Sequence, residues 1–203
     1  MKKKEVIVYI IAIIFFITLL LMVINKFQES YYYELMWFCY ISILIIIFGL
    51  FKKNSKIILS QVIILAIPDL LWIFDFLYLI LFGHTLLGLA DNLLGNRLLD
   101  KITSFQHLYV VPLSLVALSS LKINKSKKSY NILFASLAEL TLIFFITLFF
   151  VPNSQTVNCV HLSCVKINMT FLPYPLLWFL FAFSFAIISY LIIINIHVFI
   201  KKG

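Results

Sequence analysis

Three acidic residues interrupt long apolar runs of this sequence: Asp69, Asp75 and Glu139. His107 stands at the start of another apolar run, directly after Gln106. A histidine close to a carboxyl group can act as a general base or as a proton relay. We therefore predict that Asp75 and His107 form a catalytic acid–base pair. The alternative for each of these residues is a purely structural hydrogen bond to a neighbouring helix or to lipid.

A polar pocket is predicted beside this pair. Pro68 precedes Asp69 within one apolar run, and a proline inside a helix kinks it and frees backbone carbonyl groups. At 3.6 residues per turn, Asp69, Trp72 and Asp75 occupy about a third of the circumference of a helix. The pocket is expected to be lined by Asp69, Trp72, Gln106 and Glu139.

The composition indicates the surroundings of these residues. Of 203 residues, 64% are hydrophobic and 12% are charged, and the mean hydropathy is +1.10. Soluble domains have about 25% charged residues, so the composition excludes an ordinary soluble domain, a disordered tail and a nucleic-acid-binding module. A helix needs about 20 apolar residues to cross a bilayer. We predict an all-α integral membrane protein with one domain over 1–203 and six spans, at about 6–25, 34–51, 57–82, 104–121, 130–151 and 171–199.

Positive charge is distributed unevenly between the loops that join these spans. Of the 16 basic residues, all but Lys26, Arg97, Lys101 and Lys166 fall on one side of the predicted membrane. Cytoplasmic loops of membrane proteins carry the excess of lysine and arginine. The pattern predicts a multi-pass protein of the cell membrane with both termini in the cytoplasm. Its expected partners are membrane lipids, with a lipid or small-molecule ligand, rather than nucleic acid.

The two larger outer loops carry further features. One of them places leucines and polar residues on opposite arcs of a helical wheel, which predicts an amphipathic helix over 84–101 at the outer interface. The other contains Cys159 and Cys164, for which a disulfide bond is expected on the non-cytoplasmic side. A metal site that includes His161 is the alternative for the two cysteines, and it needs a fourth ligand. We predict no metal and no cofactor.

A spaced pattern covers about half of the chain. It comprises Pro68-Asp69-Leu70-Leu71-Trp72, Asp75-Phe76-Leu77, Gly83, Gly88, Ser104-Phe105-Gln106-His107, Pro112-Leu113, Val151-Pro152-Asn153 and Val157-Asn158-Cys159-Val160. This pattern resembles a group of uncharacterised prokaryotic multi-pass membrane proteins, from which the cysteine pair departs. The resemblance implies the membrane fold and the polar pocket, and it implies no particular reaction.

His107 carries a second, weaker resemblance. Its place on the fourth predicted span is similar to that of the functional histidine of androgen-induced intramembrane hydrolases and related six-span acyltransferases. Those enzymes also need a threonine or cysteine nucleophile, and Cys39 is the one thiol within a predicted span. The resemblance implies a lipid hydrolase or acyltransferase-like enzyme. For such an enzyme we expect the amphipathic helix over 84–101 to act as a lid. The alternative is a non-enzymatic protein that binds a ligand or translocates a small solute or protons through Asp69, Asp75 and Glu139.

Overall fold

The regular elements of the described residues are all helical, which confirms the predicted all-α class. A computed structural model describes residues 3–29, 32–95, 97–121, 130–153, 157–161, 166 and 173–200. Short 3₁₀ turns occur at Tyr32–Met36, Asp91–Leu93 and Val157–Cys159. The α-helices are α1 (Lys3–Glu29), α2 (Phe38–Phe51), α3 (Ser55–Phe82), α4 (Leu98–Ser104), α5 (Gln106–Leu121), α6 (Tyr130–Phe150) and α7 (Tyr174–Ile200).

Five helical segments within this part of the chain are long and apolar enough to cross a membrane. The second predicted span, at about 34–51, coincides with α2, which has 14 residues and is about 21 Å long at 1.5 Å per residue. That length is less than the roughly 30 Å of a bilayer core. Residues 34–36, predicted to begin this span, instead belong to the 3₁₀ turn at Tyr32–Met36. The five long segments are Lys4–Gln28, Ser55–Phe82, Leu98–Leu121, Tyr130–Phe150 and Tyr174–Asn195.

Helix α3 lies at the centre of the bundle. It packs against α2, α5, α6 and α7, whereas α1 packs against α2, α4 and α5. Residues 58–65 of α3 are buried on every side, so this half of the helix is surrounded by other helices. Large side chains such as Leu81, Phe134 and Phe149 remain exposed on the outside of the bundle. An extended apolar surface of this kind is typical of a membrane-facing protein.

The segment between α3 and α4 differs from the predicted amphipathic helix over 84–101. Residues 83–90 form turns and bends, and α4 begins at Leu98. Gly83 and Gly88 have φ values of +75° and +87°, which a right-handed helix does not contain. The apolar residues of this segment do not share one buried face, because Ala90 is completely buried whereas Leu86 and Leu94 are exposed. The prediction of a helix is therefore wrong before Leu98.

The fourth predicted span begins six residues before its predicted start at residue 104. Phe105 joins α4 to α5 with backbone angles in the right-handed helical region, so the two helices form one span from Leu98 to Leu121. His107 is then nine residues from the outer end of this span, a distance of about 14 Å at 1.5 Å per residue. His107 consequently lies near the middle of its span rather than near the outer edge.

Candidate functional site

His107 and Asp69 lie side by side in the middle of the bundle. Nδ1 of His107 is 2.7 Å from Oδ1 of Asp69, across the contact between α5 and α3. The Asp69 side chain is 4% exposed, whereas that of His107 is 21% exposed. With Asp69 ionised, its carboxylate only accepts hydrogen bonds, and Nδ1–H is then the donor in this pair. The lone pair of Nε2 is then available as a proton acceptor.

Aromatic rings restrict the orientation of the imidazole. Trp72 lies three residues after Asp69 on α3, and its ring centroid is 5.1 Å from that of His107. Trp72 is stacked in turn on Phe76, with 5.4 Å between the centroids. Phe76 packs edge-on against Phe105, the residue between α4 and α5. These ring contacts restrict the plane of the imidazole, and the hydrogen bond to Asp69 determines that Nδ1 faces α3.

Cys39 and Gln106 extend this group of side chains toward α2. The Gln106 side chain forms a hydrogen bond with the Cys39 thiol, which is also close enough to Asp69 for the two groups to interact electrostatically. Oδ2 of Asp69 and Oε1 of Gln106 are buried without a hydrogen-bond partner among the described residues. Buried acceptors of this kind usually bind a donor. We refer to Asp69, Trp72, Gln106, His107 and Cys39 as the central site.

Asp75 does not form the predicted contact with His107. Its carboxylate instead accepts three backbone N–H groups of the following loop: Leu86 at 2.8 Å, Leu87 at 2.6 Å and Ala90 at 3.0 Å. The prediction placed His107 too near the outer edge, because it began the fourth span six residues too late. The structure therefore pairs His107 with Asp69, and Asp75 holds the loop against the C-terminal end of α3.

Glu139 lies apart from the central site, although both were assigned to one pocket. Nε2 of Gln61 donates to Oε2 of Glu139 at 2.6 Å and links α3 to α6. Gln61 precedes Asp69 by eight residues, which is about 12 Å along the axis of α3. The predicted pocket is thus divided: Asp69, Trp72 and Gln106 lie in the central site, and Glu139 forms a second contact with Gln61.

Asn158 is a residue whose importance the sequence did not reveal. Its Oδ1 accepts from the backbone N–H of Phe38 at 2.7 Å, and its Nδ2 donates to the carbonyl of Met36 at 2.7 Å and to Oγ1 of Thr147 at 3.0 Å. Its own carbonyl accepts a hydrogen bond from Nε1 of Trp178. Asn158 thereby joins the start of α2 to α6 and α7. A positive φ of 51° is compatible with asparagine, yet nothing in the sequence indicates its partners.

Lys166 fixes the outer loop from the other side. Its backbone N–H donates to the carbonyl of Leu87 at 2.9 Å, and its Nζ lies 2.7 Å from Oγ1 of Thr85 and 3.1 Å from Oδ1 of Asp91. Thr85 also donates to Asp91. The aliphatic part of Lys166 crosses Gly88, where an added Cβ would come within 3.2 Å of it. The loop is thus held between Asp75 below and Lys166 above.

The predicted disulfide bond involves Cys164, which lies outside the described residues, so the bond stays a prediction. His161, the histidine of the alternative metal site, directs Nε2 to the carbonyl oxygens of Thr147 and Val151 at 3.2 and 3.0 Å. It therefore interacts with carbonyl groups at the end of α6. Within the described part of the chain, no three histidine, cysteine or acidic side chains are grouped as a metal site would require.

Comparisons with protein-family models, with curated proteins and with solved structures find no match to this chain. The fold and the central site define a helical protein with several helices able to span a membrane and a histidine–aspartate pair between them. Its function is therefore argued from the geometry of that pair and of its surroundings.

Proposed function

We propose that this protein is a six-span enzyme of the cell membrane that hydrolyses, or transfers, an acyl group of a lipid. In this proposal α2 is the second of the six spans, and the preceding turn at Tyr32–Met36 covers the remaining thickness of the bilayer. The excess of lysine in alternate loops supports an orientation with both termini in the cytoplasm. A substrate with acyl chains can reach a site between such helices from within the bilayer.

The observation that carries this proposal is the contact between His107 and Asp69. The carboxylate fixes the tautomer and direction of the imidazole, as a general base requires. His107 is the more exposed member of the pair, so Nε2 is the atom that a substrate or a water molecule can approach. Asp69 acts as a positioning residue, because it contacts the imidazole and not the reacting atoms.

The proposed reaction uses water as the nucleophile. Nε2 of His107 accepts a proton as the water oxygen bonds to the ester carbonyl carbon. The ester C–O bond then breaks, and the departing alcohol takes the proton back from His107. A lipid alcohol in place of water gives acyl transfer by the same steps. Cys39 is partly buried against the core, and the side chains that act on its thiol are Asp69 and Gln106, so the proposal assigns it no covalent role.

The unpartnered oxygens of the central site support a ligand with hydrogen-bond donors. Oδ2 of Asp69 and Oε1 of Gln106 both accept only, and both are buried. A hydroxyl group of a glycerol ester, or a bound water, supplies the donor that these atoms need. A purely apolar ligand such as a hydrocarbon supplies none. The substrate class favoured by the site is therefore a lipid ester with a free hydroxyl group.

The test is an activity assay on purified protein in lipid nanodiscs. Monoacylglycerol, diacylglycerol and phospholipid are supplied in turn, and released fatty acid or transferred acyl chain is measured by mass spectrometry. We expect His107→Ala to reduce turnover by about 100-fold or more, the usual contribution of general acid–base catalysis. His84→Ala is the matched control, since His84 is exposed and its described contacts are with the Phe82 carbonyl and the Tyr78 ring. Equal turnover by wild type and His107→Ala would contradict the proposal.

A second candidate is a non-enzymatic protein that binds a ligand or moves protons through the bundle. The buried, unpartnered oxygens of Asp69 and Gln106 favour it, because they suit a bound ligand or a chain of water molecules equally well. In proteoliposomes, this candidate predicts proton flux or ligand binding that His107→Ala abolishes, with no product from any of the three lipids. Product formation that depends on His107 would favour the lipid-modifying enzyme over this second candidate.

A further inference from the structure

Gln61 and Glu139 form a polar contact that the proposed reaction does not use. Nε2 of Gln61 donates to Oε2 of Glu139 at 2.6 Å and lies 3.2 Å from Oγ of Ser60. Gln61 is completely buried, at 1% exposure, and Glu139 is half-buried. The contact lies about 12 Å from the level of Asp69 along α3. It is therefore a separate site in the other half of the bundle.

The backbone around this contact is fixed by serine hydroxyls. Oγ of Ser136 donates to the carbonyl of Ser60 at 3.0 Å and to that of Ile132 at 3.0 Å. Oγ of Ser60 is within 2.8 Å of the carbonyl of Ile57. Ser136 precedes Glu139 by three residues and thus lies on the same side of α6. These bonds hold α6 against α3 at the level where the acid and the amide meet.

Two oxygens of this pair have no hydrogen-bond partner among the described residues: Oε1 of Gln61 and Oε1 of Glu139. Each is bonded to the same carbon as an atom of the 2.6 Å contact, so both lie within a few ångströms of it. Two acceptors cannot satisfy each other, and a buried polar atom without a partner destabilises the fold. A single donor between them would satisfy both.

We propose that Glu139 is a proton-binding site and carries its proton on Oε1 at neutral pH. The protonated acid is a donor as well as an acceptor, so it can donate from Oε1 to Oε1 of Gln61 while accepting from Nε2. The acid and the primary amide then form two hydrogen bonds in a ring. Binding the proton requires no further ligand and no change in the fold.

The surroundings of Glu139 support this state. Among the described residues, Gln61 is the side chain that forms a hydrogen bond with the Glu139 carboxyl group. No lysine, arginine or histidine in the described part of α3 or α7 forms an ion pair with it. An ionised carboxylate between apolar helices without a cation costs several kcal/mol. A neutral acid joined to an amide avoids that cost.

The test is infrared spectroscopy of the full-length protein in nanodiscs at neutral pH. The carbonyl band of a protonated carboxylic acid is separate from the bands of a carboxylate, and it shifts in deuterated water. We expect the difference between wild type and Glu139→Gln to contain the protonated-acid band. This variant keeps the fold, because two amides can form the same pair of hydrogen bonds. A difference that contains only carboxylate bands overturns the proposal.

Chemical modification gives an independent measurement. Hydrophobic carbodiimides react with protonated carboxyl groups in apolar surroundings, and peptide mass spectrometry locates the adduct. We expect an adduct on Glu139 at neutral pH, a several-fold loss of it in alkaline buffer, and none on the exposed Asp91. In Gln61→Leu, the infrared band of Glu139 should move because its acceptor is removed, whereas Asp91→Asn should leave the band unchanged. Absence of the Glu139 adduct in folded protein contradicts the proposal.

His107→Ala should leave all of these results unaltered. The proposal for Glu139 is therefore tested independently of the catalytic proposal.

Discussion

The carboxylate of Asp75 and the backbone N–H of Ala90 lie 3.0 Å apart, although they are 15 residues apart in the chain. Asp75 also accepts the N–H groups of Leu86 and Leu87. One buried carboxylate thus organises the start of the loop between α3 and α4. The role that this geometry indicates for Asp75 is structural, whereas the sequence had suggested a catalytic role.

Asp75→Asn tests this role. The amide keeps one oxygen acceptor but directs an NH₂ group at backbone donors, so at least one charge-assisted hydrogen bond is lost. We expect a loss of about 3 kcal/mol in the free energy of unfolding. Hydrogen–deuterium exchange should become faster at residues 86–90 before any change appears in α5. Unchanged exchange in this loop would show that Asp75 does not hold it.

Asn158→Ala tests the contacts between the outer ends of the helices. The substitution leaves the N–H of Phe38 and the hydroxyl of Thr147 without a partner, and it places alanine at a positive φ. We expect a loss of about 3 kcal/mol in unfolding free energy from these effects together. Asn158→Gly is the control, because glycine removes the same contacts without the backbone strain. A smaller loss in the glycine variant is expected in thermal denaturation, and equal losses would contradict the contribution of strain.

The orientation in the membrane is tested by cysteine accessibility in intact cells. In a chain whose native cysteines are replaced, Lys53→Cys and Lys125→Cys should be protected from a membrane-impermeant thiol reagent, because lysine-rich loops remain in the cytoplasm. Asn153→Cys should react. Permeabilised cells provide the control, since all three positions should then be labelled. Labelling of Lys125→Cys from outside would overturn the proposed orientation.

The disulfide prediction is tested by peptide mapping of unreduced protein. We expect a cross-linked peptide that contains Cys159 and Cys164, and a decrease of about 2 kcal/mol in unfolding free energy in Cys164→Ser, as a short cross-linked loop would give. Cys39→Ser should leave the cross-linked peptide in place, because Cys39 is a free thiol. Two alkylatable thiols in the outer loop without reductant would refute the bond.

The long helices could be predicted from the sequence because hydropathy and length are properties of each segment alone. Five of the six predicted spans coincide with helices long enough to cross a membrane. The start of the fourth was misplaced, since Asp100 and Lys101 lower the hydropathy of α4 while the helix continues through them. Because of that error of about two turns, the prediction placed His107 beside Asp75 rather than Asp69.

The loop contacts could not be predicted, because they depend on partners distant in sequence. The leucine spacing near Gly88 is compatible with a helix until the positive φ of that glycine is known. In the same way, the partners of Asn158 come from the turn before α2, from α6 and from α7. The local sequence pattern carries no information on such long-range contacts, whereas the buried acids correctly marked where polar contacts occur.

The polar contacts of α3 have a consequence for motion. Gln61, Asp69 and Asp75 bind α6, α5 and the outer loop respectively, at three heights on one helix. A translation of α3 by one turn, about 5.4 Å, would break all three contacts simultaneously. Sliding of α3 along its own axis is therefore the motion that these three contacts oppose together.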